Sequence, residues 1–205
     1  MNIHTIFPTA IGYEYNNITD DEEHTRLKTC EYHKHEKYNM TVSKDKYIIN
    51  SVPNIKQFIQ HSLNKYSESI LATKARLKFT QSWCTKHANE KQYTFPHCHQ
   101  NSIISGVYYV SASQDSEGLT FYKDNPLNDR YITWTKDQDL INKHEWNWEW
   151  QKFNVKQGML ILFPSHLKHA VEGKTFTGDF RCALAFNTWF EDPIGCEDNF
   201  SRLKI

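Results

Sequence analysis

The chain has 205 residues and no formal net charge at pH 7, and 39% of its residues are hydrophobic. This composition is typical of a globular domain with its own core, and the balanced charge predicts no basic surface that would hold nucleic acid. The five cysteines are scattered without a CxxC pair, which argues against a disulfide framework or a cysteine-rich zinc site and favours a reducing, cytoplasmic environment.

The sequence contains no segment that we would expect to cross a membrane or to direct export. No apolar run approaches the roughly 18 residues of a transmembrane helix. The first residues also lack the basic and then apolar layout of a signal peptide. We therefore expect no membrane partner.

The first third of the chain is predicted to form a cover of one strand and two helices. The apolar stretch 6–12, which contains Pro8, favours an edge strand. The acidic run 19–23 precedes Leu27 and is typical of a helix start. Residues 53–70 have Pro in the first turn and apolar residues at helical spacing, which predicts a helix lying on a sheet.

From residue 75 the apolar pattern changes to a period of two, which predicts strands. The predicted strands cover residues 75–86, 103–110, 118–122, 131–134, 146–153, 158–163, 169–172 and 180–190. Short strands with long connections indicate an antiparallel sandwich or jelly roll. We expect one mainly β domain over 1–205, with 1–74 as strand and helical cover, 75–190 as the jelly-roll core and 191–205 as a C-terminal tail.

Three tryptophans recur at alternate positions in one predicted strand, at 146, 148 and 150. Their indoles would share one face, as in a platform that stacks bases or sugars. Neither basic residues nor glycines surround them, so we favour a strand packed against the helix layer.

A pair of histidines precedes the most apolar strand. His97 and His99 are two residues apart, so in an extended chain their imidazoles lie on one face while Cys98 points away. Asn101 continues the same face. Two imidazoles at the end of a rigid strand indicate a metal site, although the pair His33/His35 in a charged stretch is more typical of solvated surface.

The second half of the candidate site follows a buried strand. Residues 159–163 are apolar throughout, a Pro-Ser break follows, and His169 comes where a loop would open. In the last strand, Arg181 and the alanines at 183 and 185 share a face with Asn187. A buried guanidinium needs an anion, and this strand offers none, so a small carboxylate ligand would complete it.

Three motifs, in this order, resemble the iron(II)/2-oxoglutarate-dependent oxygenases, and most closely a group of bacterial and phage proteins. They are HCHQNSIISGVYYV (97–110), GMLILFPSHLKH (158–169) and RCALAFN (181–187). The resemblance extends to residues 6–9 and 82–83. It implies a double-stranded β-helix that binds iron(II) and 2-oxoglutarate, uses dioxygen and hydroxylates a small molecule or peptide, in a host's cytoplasm if a phage encodes the chain.

Matched to the family motifs, His97 and His169 correspond to iron ligands, and Arg181 to the arginine that pairs with the far carboxylate of 2-oxoglutarate. Ala183, Asn187 and Tyr108 are expected beside it. The family usually has an acid where this chain has His99, and often a serine where it has Ala183. We therefore expect a three-histidine centre (His97, His99, His169), with Asn101 or Asp124 as alternative ligands and His166 as a weaker rival to His169.

Two other functions would suit the same strands. A cupin-type dioxygenase or isomerase would use the three histidines without 2-oxoglutarate, but would not need Arg181. A binding module without catalysis would need no metal at all.

Overall fold

The computed structural model describes residues 8–18, 21–37, 40–88, 92–112, 117–123, 150–171 and 180–203. Within these ranges the chain forms eleven strands, two α-helices and one 3-10 helix. The strands are β1 (Gly12–Tyr15), β2 (Tyr32–Lys34), β3 (Thr41–Ser43), β4 (Leu77–His87), β5 (Thr94–His97), β6 (Ile104–Ser111), β7 (Glu117–Tyr122), β8 (Trp150–Asn154), β9 (Met159–Pro164), β10 (His169–Val171) and β11 (Arg181–Phe190). The helices are α1 (Glu22–Thr29), the 3-10 helix (Ile48–Ser51) and α2 (Pro53–Ile70).

The strands form two antiparallel sheets. The larger sheet has the order β1-β9-β6-β11-β4-β3-β2, and the smaller one has the order β5-β10-β7-β8. The mainly β, antiparallel prediction is thus confirmed. The first 74 residues contribute β1, β2 and β3 to the larger sheet as well as both α-helices. The domain boundaries themselves stay a prediction.

One face of the larger sheet packs against α2. The helix begins at Pro53 as predicted, and Ile55, Ile59 and Leu63 are fully buried at helical spacing against the sheet. The buried carboxylate of Glu23 accepts the first backbone N–H groups of α2, from Asn54 at 2.9 Å and Ile55 at 2.8 Å. A carboxylate at this position satisfies unpaired donors and the helix dipole together, so it joins α1 to α2.

The opposite face of the larger sheet faces the smaller sheet. It contributes to a second core cluster, which is separate from the one under α2. That cluster includes Val107 and Tyr109 of β6, Leu119 and Phe121 of β7, and Phe163 of β9. Side chains alternate between the two faces of a strand, so neighbouring residues of β6 belong to different cores. The functional residues described below lie on this inner face.

Predictions about the periphery of the fold have mixed outcomes. The edge strand exists, but it begins at Gly12, where the predicted stretch ends, and pairs with β9. The predicted strand 131–134 and the first two tryptophans of the 146–150 run lie outside the described residues. Trp150 is 53% exposed on β8, the outer strand of the smaller sheet, so its predicted packing against the helix layer is wrong.

No helix in the described ranges is long and apolar enough to cross a membrane.

Candidate metal centre and co-substrate cavity

Three histidines meet where β5 and β10 pair. His97 ends β5 and lies directly opposite His169, the first residue of β10. His99 follows in the next turn, which is held by a 2.9 Å hydrogen bond from its backbone N–H to the carbonyl of Ser165. The ring centroid of His169 is 4.5 Å from that of His97 and 5.0 Å from that of His99. One ligand atom from each ring lies within 4.8 Å of the other two.

Hydrogen bonds fix the same tautomer in all three rings. Nδ1 of His97 donates to the carbonyl of Phe95 at 2.7 Å, and Nδ1 of His169 donates to the carbonyl of Leu167 at 2.8 Å. Nδ1 of His99 donates to the side-chain oxygen of Asn187. A neutral imidazole with hydrogen on Nδ1 has its lone pair on Nε2. Each ring is therefore oriented by its partner to offer Nε2 as a ligand.

The Nε2 atoms of His97 and His99 lie 3.3 Å apart with nearly parallel rings. In this tautomer both atoms are acceptors, so neither can donate to the other and their lone pairs repel. A divalent cation held by both nitrogens would replace this repulsion by attraction. The spacing of the two rings fits a shared cation.

Burial keeps His99 and His169 in the neutral form that binds metal. Removal from water lowers the pKa of His169 to about 3 and lowers the pKa of His99 as well. Phe163 and Phe121 pack against the imidazole of His169, with centroid distances of 4.7 and 6.2 Å. These aromatic rings form an apolar wall on one side of the histidine cluster.

The alternative ligands do not join the cluster. Asn101 is exposed, and its φ of +52° turns the chain, so the expectation that it continues the face of the two histidines is wrong. His166 is also exposed. Asp124 lies outside the described residues.

A cavity of about 400 Å³ opens beside the three histidines. This volume suits a small organic ligand. The inner face of β11 forms its floor with Arg181, Ala183, Ala185 and Asn187, as the alternation of the sequence predicts. The cavity is also lined by His35, Met40, Val42, Lys46, Gln81, Trp83, Thr85, His87, Thr94, Gln100, Val107, Leu119 and Val171.

Arg181 is 1% exposed, and no carboxylate in the described part of the chain forms an ion pair with it. Its Nη1 donates to Nδ1 of His87 at 3.2 Å, and its Cζ lies 4.9 Å from the ring centroid of Tyr109. Three buried polar atoms in this group have no hydrogen-bond partner among the described residues: Nε of Arg181, Nε2 of His87 and the hydroxyl of Tyr109. Buried polar groups are rarely left unpaired, so this group indicates a binding site for an anion.

Tyr108 does not line the cavity, which corrects the sequence prediction. Its hydroxyl hydrogen-bonds to Nε2 of His24 at 2.8 Å, and its ring belongs to the core cluster under α2. The next residue, Tyr109, occupies the inner face opposite Ala183. The register between β6 and β11 decides which tyrosine faces inward, and this register cannot be read from β6 alone.

His87 is a cavity residue that the sequence does not single out. It lies directly opposite Arg181 across the β4–β11 pair. The only signal in the sequence is its alternation with Gln81, Trp83 and Thr85 along β4, all of which line the cavity. No motif draws attention to the residue, because its role depends on the pairing of two strands that are far apart in sequence.

Buried, neutral His87 should make the metal-free protein sensitive to acid. Burial, and then the charge of Arg181, lowers its pKa to about 3 in the folded chain from about 6.5 in an unfolded one. The unfolded state therefore binds one more proton between these values, and stability is lost as the pH falls through this window. In urea titrations from pH 6 to pH 4, His87→Phe should reduce the slope of the unfolding free energy by about 1.4 kcal/mol per pH unit. Equal slopes would show that the folded-state pKa of His87 is not depressed.

The sequence matches a protein family directly. A family model described as "Putative 2OG-Fe(II) oxygenase" matches residues 81–187, more than half of the chain. This match spans β4 to the middle of β11 and therefore all the strands that carry the candidate site. No curated protein matches the sequence.

Solved structures share the fold at low sequence identity. An oxidoreductase of the 2OG-Fe(II) oxygenase family from Burkholderia pseudomallei has a TM-score of 0.57 and 9% identity over 87% of this chain and 83% of its own. HygX from Streptomyces hygroscopicus, with nickel and 2-oxoglutarate bound, has a TM-score of 0.60 and 11% identity, covering 89% and 84%. AviO1 from Streptomyces viridochromogenes Tue57 has a TM-score of 0.54 and 9% identity, covering 89% and 90%.

These likenesses concern the fold, which is the jelly roll, or double-stranded β-helix, expected from the sequence. The family is established by the sequence model. Because that model covers the strands carrying His97, His99, His169 and Arg181, the chain belongs to the 2OG-Fe(II) oxygenase family and is an oxidoreductase.

Proposed function

We propose that this chain is an iron(II)- and 2-oxoglutarate-dependent dioxygenase that hydroxylates a small molecule or a peptide. One C–H bond of the substrate becomes C–OH, dioxygen supplies the oxygen, and 2-oxoglutarate is converted to succinate and carbon dioxide. The observation that carries the proposal is Arg181, a buried guanidinium without a carboxylate partner among the described residues, in the same cavity as three converging imidazoles.

The residues present suit this metal and co-substrate. Nε2 of His97, His99 and His169 would hold iron(II), which when bound supplies the chemistry of oxygen activation. Arg181 would bind the distal carboxylate of 2-oxoglutarate by two parallel hydrogen bonds, which fix the orientation of the ligand. Ala183 and Ala185 lie on β11 between Arg181 and Asn187, and their small side chains leave room for it.

The three-histidine ligand set changes the electrostatics of the site. Two histidines and one carboxylate would offset one of the two positive charges of iron(II), whereas three neutral imidazoles offset neither. The Asn187 oxygen, which accepts from Nδ1 of His99, makes that imidazole a better ligand without adding charge. We infer that the site holds an anionic, chelating co-substrate more strongly for this reason.

The two rival functions are less well supported. A cupin-type enzyme without 2-oxoglutarate would explain the histidines but would leave Arg181 and its unpaired neighbours in the cavity unexplained. A binding module without catalysis would not need three rings oriented through Nδ1. The family match also favours the oxygenase.

The decisive test uses the purified protein with iron(II) and 2-oxoglutarate under anaerobic conditions. We expect a weak visible charge-transfer band that requires both components. Metal binding without the band would favour the cupin-type enzyme, and no metal binding would favour the binding module. In air, a screen of small molecules and peptides for stimulated succinate release would then identify the substrate.

We also propose that the protein works in a reducing compartment such as the cytoplasm. All five cysteines are free thiols, and Cys84 and Cys182 are buried in the core. Free thiols persist where the environment keeps them reduced.

A further inference from the structure

Three serine hydroxyls form a hydrogen-bonded chain that ends beside His99. Oγ of Ser102 lies 2.7 Å from Oγ of Ser165, which lies 2.8 Å from Oγ of Ser105. Ser105 donates to the side-chain oxygen of Asn187 at 2.9 Å. Ser105 and Ser165 are buried. The chain therefore ends at the same oxygen that accepts from Nδ1 of His99.

The surroundings of Ser102 set the direction in which this chain donates. The backbone N–H of Thr188 can only donate, and it lies 3.3 Å from Oγ of Ser102. The carbonyls of Ile104 and Thr188 could take the hydroxyl hydrogen of Ser102, but both lie 3.3 Å away. Each already has a closer donor, the Thr188 hydroxyl at 2.7 Å and the Ile103 N–H at 3.0 Å. The shorter contact is preferred, so the chain donates from Ser102 towards Asn187.

This direction matters because a side-chain amide can be turned either way. A turned amide would present its NH2 group, a donor, to His99. Nδ1 of His99 would then have to accept, and the hydrogen of the neutral ring would move to Nε2. There it would donate to Nε2 of His97, which is 3.3 Å away. This second arrangement pairs the same atoms but leaves His99 without a lone pair for a metal.

We propose that Ser105 is a positioning residue of the metal centre, which holds the Asn187 amide with its oxygen towards His99. Nε2 of His99 thereby keeps the lone pair that binds iron(II). This inference rests on the proposed function, because the choice of tautomer matters where a metal binds. Without the Ser105 hydroxyl, the amide loses the hydrogen bond that distinguishes its two orientations.

A carboxylate at position 187 would not need this control. Both oxygens of an ionised carboxylate accept and neither can donate, so His99 would keep its hydrogen on Nδ1 whichever way the group turns. Asn187→Asp should therefore make Ser105 dispensable if Ser105 orients the amide. If Ser105 only supports the fold, Ser105→Ala will have the same effect with either residue at position 187.

Two measurements test the assignment on the full chain. NMR spectra of the nitrogen-labelled histidine rings in the metal-free protein show which nitrogen of His99 carries hydrogen, and loss of the signal in His99→Gln assigns it. Anaerobic isothermal titration gives the iron(II) affinity. The variants are Ser105→Ala, Asn187→Asp and the two together. Ser105→Cys replaces Ser105→Ala if that variant does not fold, because a thiol fills similar space but is a weak donor.

The matched control is Ser82→Ala. It removes another fully buried serine hydroxyl, which accepts from the backbone N–H of Ile49 at 3.0 Å. Like the wild type, this variant should carry the hydrogen of His99 on Nδ1 and bind iron(II) with unchanged affinity.

We expect Ser105→Ala to shift a substantial share of the His99 hydrogen to Nε2. Iron(II) affinity should fall about 10-fold, the lower end of the range for loss of a group that orients a metal ligand. Asn187→Asp should bind iron(II) at least as tightly as the wild type. In that background, Ser105→Ala should change the affinity by less than about twofold.

Three results would overturn the assignment while leaving the proposed function intact. They are a wild type with hydrogen on Nε2 of His99, hydrogen that stays on Nδ1 in Ser105→Ala, and equal losses of iron(II) affinity from Ser105→Ala with and without Asn187→Asp. A wild-type protein that binds no iron(II) would instead refute the proposed function, and the role of Ser105 with it.

Discussion

His169→Ala is expected to abolish iron(II) binding while the jelly roll still folds. His169 supplies one of three converging imidazoles, and two neutral ligands that remain hold a divalent metal far more weakly than three. We expect affinity to fall by at least about 100-fold, given that weakening an outer-shell partner alone typically costs 10- to 100-fold. Isothermal titration with iron(II) under anaerobic conditions measures the loss directly.

The matched control is His166→Ala, three residues earlier in the turn that precedes β10. His166 is exposed, and its backbone carbonyl accepts from Cys98, so the alanine variant keeps that contact. This variant should bind iron(II) like the wild type. If both variants bind iron(II) equally well, the metal centre is not where His97, His99 and His169 meet.

His169→Ala should not unfold the protein. The ring lies at the cavity, and the wall behind it is built from Phe163 and Phe121, which pack on each other at 5.1 Å between centroids. Removal of the buried, neutral imidazole also removes a group that acid would charge. Loss of metal binding together with loss of the folded circular dichroism spectrum would contradict this expectation.

The parts of the fold that follow local rules could be predicted from the sequence. The helix over 53–70 was correct at both ends, because Pro53 suits only the first turn and the apolar residues repeat at helical spacing. The alternation of Arg181, Ala183, Ala185 and Asn187 was also correct, because successive side chains of a strand point to opposite faces.

The parts that depend on the pairing of distant strands could not be predicted. Tyr108 and Tyr109 are equally plausible cavity residues in the sequence, and only the register of β6 against β11 puts Tyr109 rather than Tyr108 on the inner face of the sheet. His87 faces Arg181 only because β4 pairs with β11. The prediction for Asn101 was wrong for another reason, because its positive φ ends the extended geometry on which that prediction relied.

The chemistry of the site residues explains which of them could be predicted from the sequence. His97, His99 and His169 could be found because metal ligands are chemically distinctive and the family motifs mark them. The remaining cavity residues are ordinary side chains, and they acquire a role from their neighbours. The strand that carries Arg181 contains no acid, so the sequence already indicates a guanidinium without a partner on that strand. The polar atoms around it that lack partners among the described residues became apparent only in the folded chain.

Arg181→Leu is expected to weaken 2-oxoglutarate binding by about 2–5 kcal/mol, which is the usual cost of removing one side of a buried charge pair. This corresponds to a dissociation constant roughly 30- to 4,000-fold higher. Iron(II) affinity should be unchanged, because Arg181 is not among the metal-binding residues. Anaerobic titration of the charge-transfer band measures the first quantity, and isothermal titration measures the second.

The matched control is Arg76→Leu. Arg76 is an exposed arginine whose partners, Glu191 and Asp192, lie on the surface, so its removal should leave both affinities unchanged. The metal-free Arg181→Leu protein should also be no less stable to urea than the wild type. Replacement of a buried charge that lacks an ionic partner by an apolar side chain is commonly neutral or stabilising. An unchanged affinity for 2-oxoglutarate would show that Arg181 does not bind it, and a marked loss of stability would show that Arg181 is held in the fold for its packing.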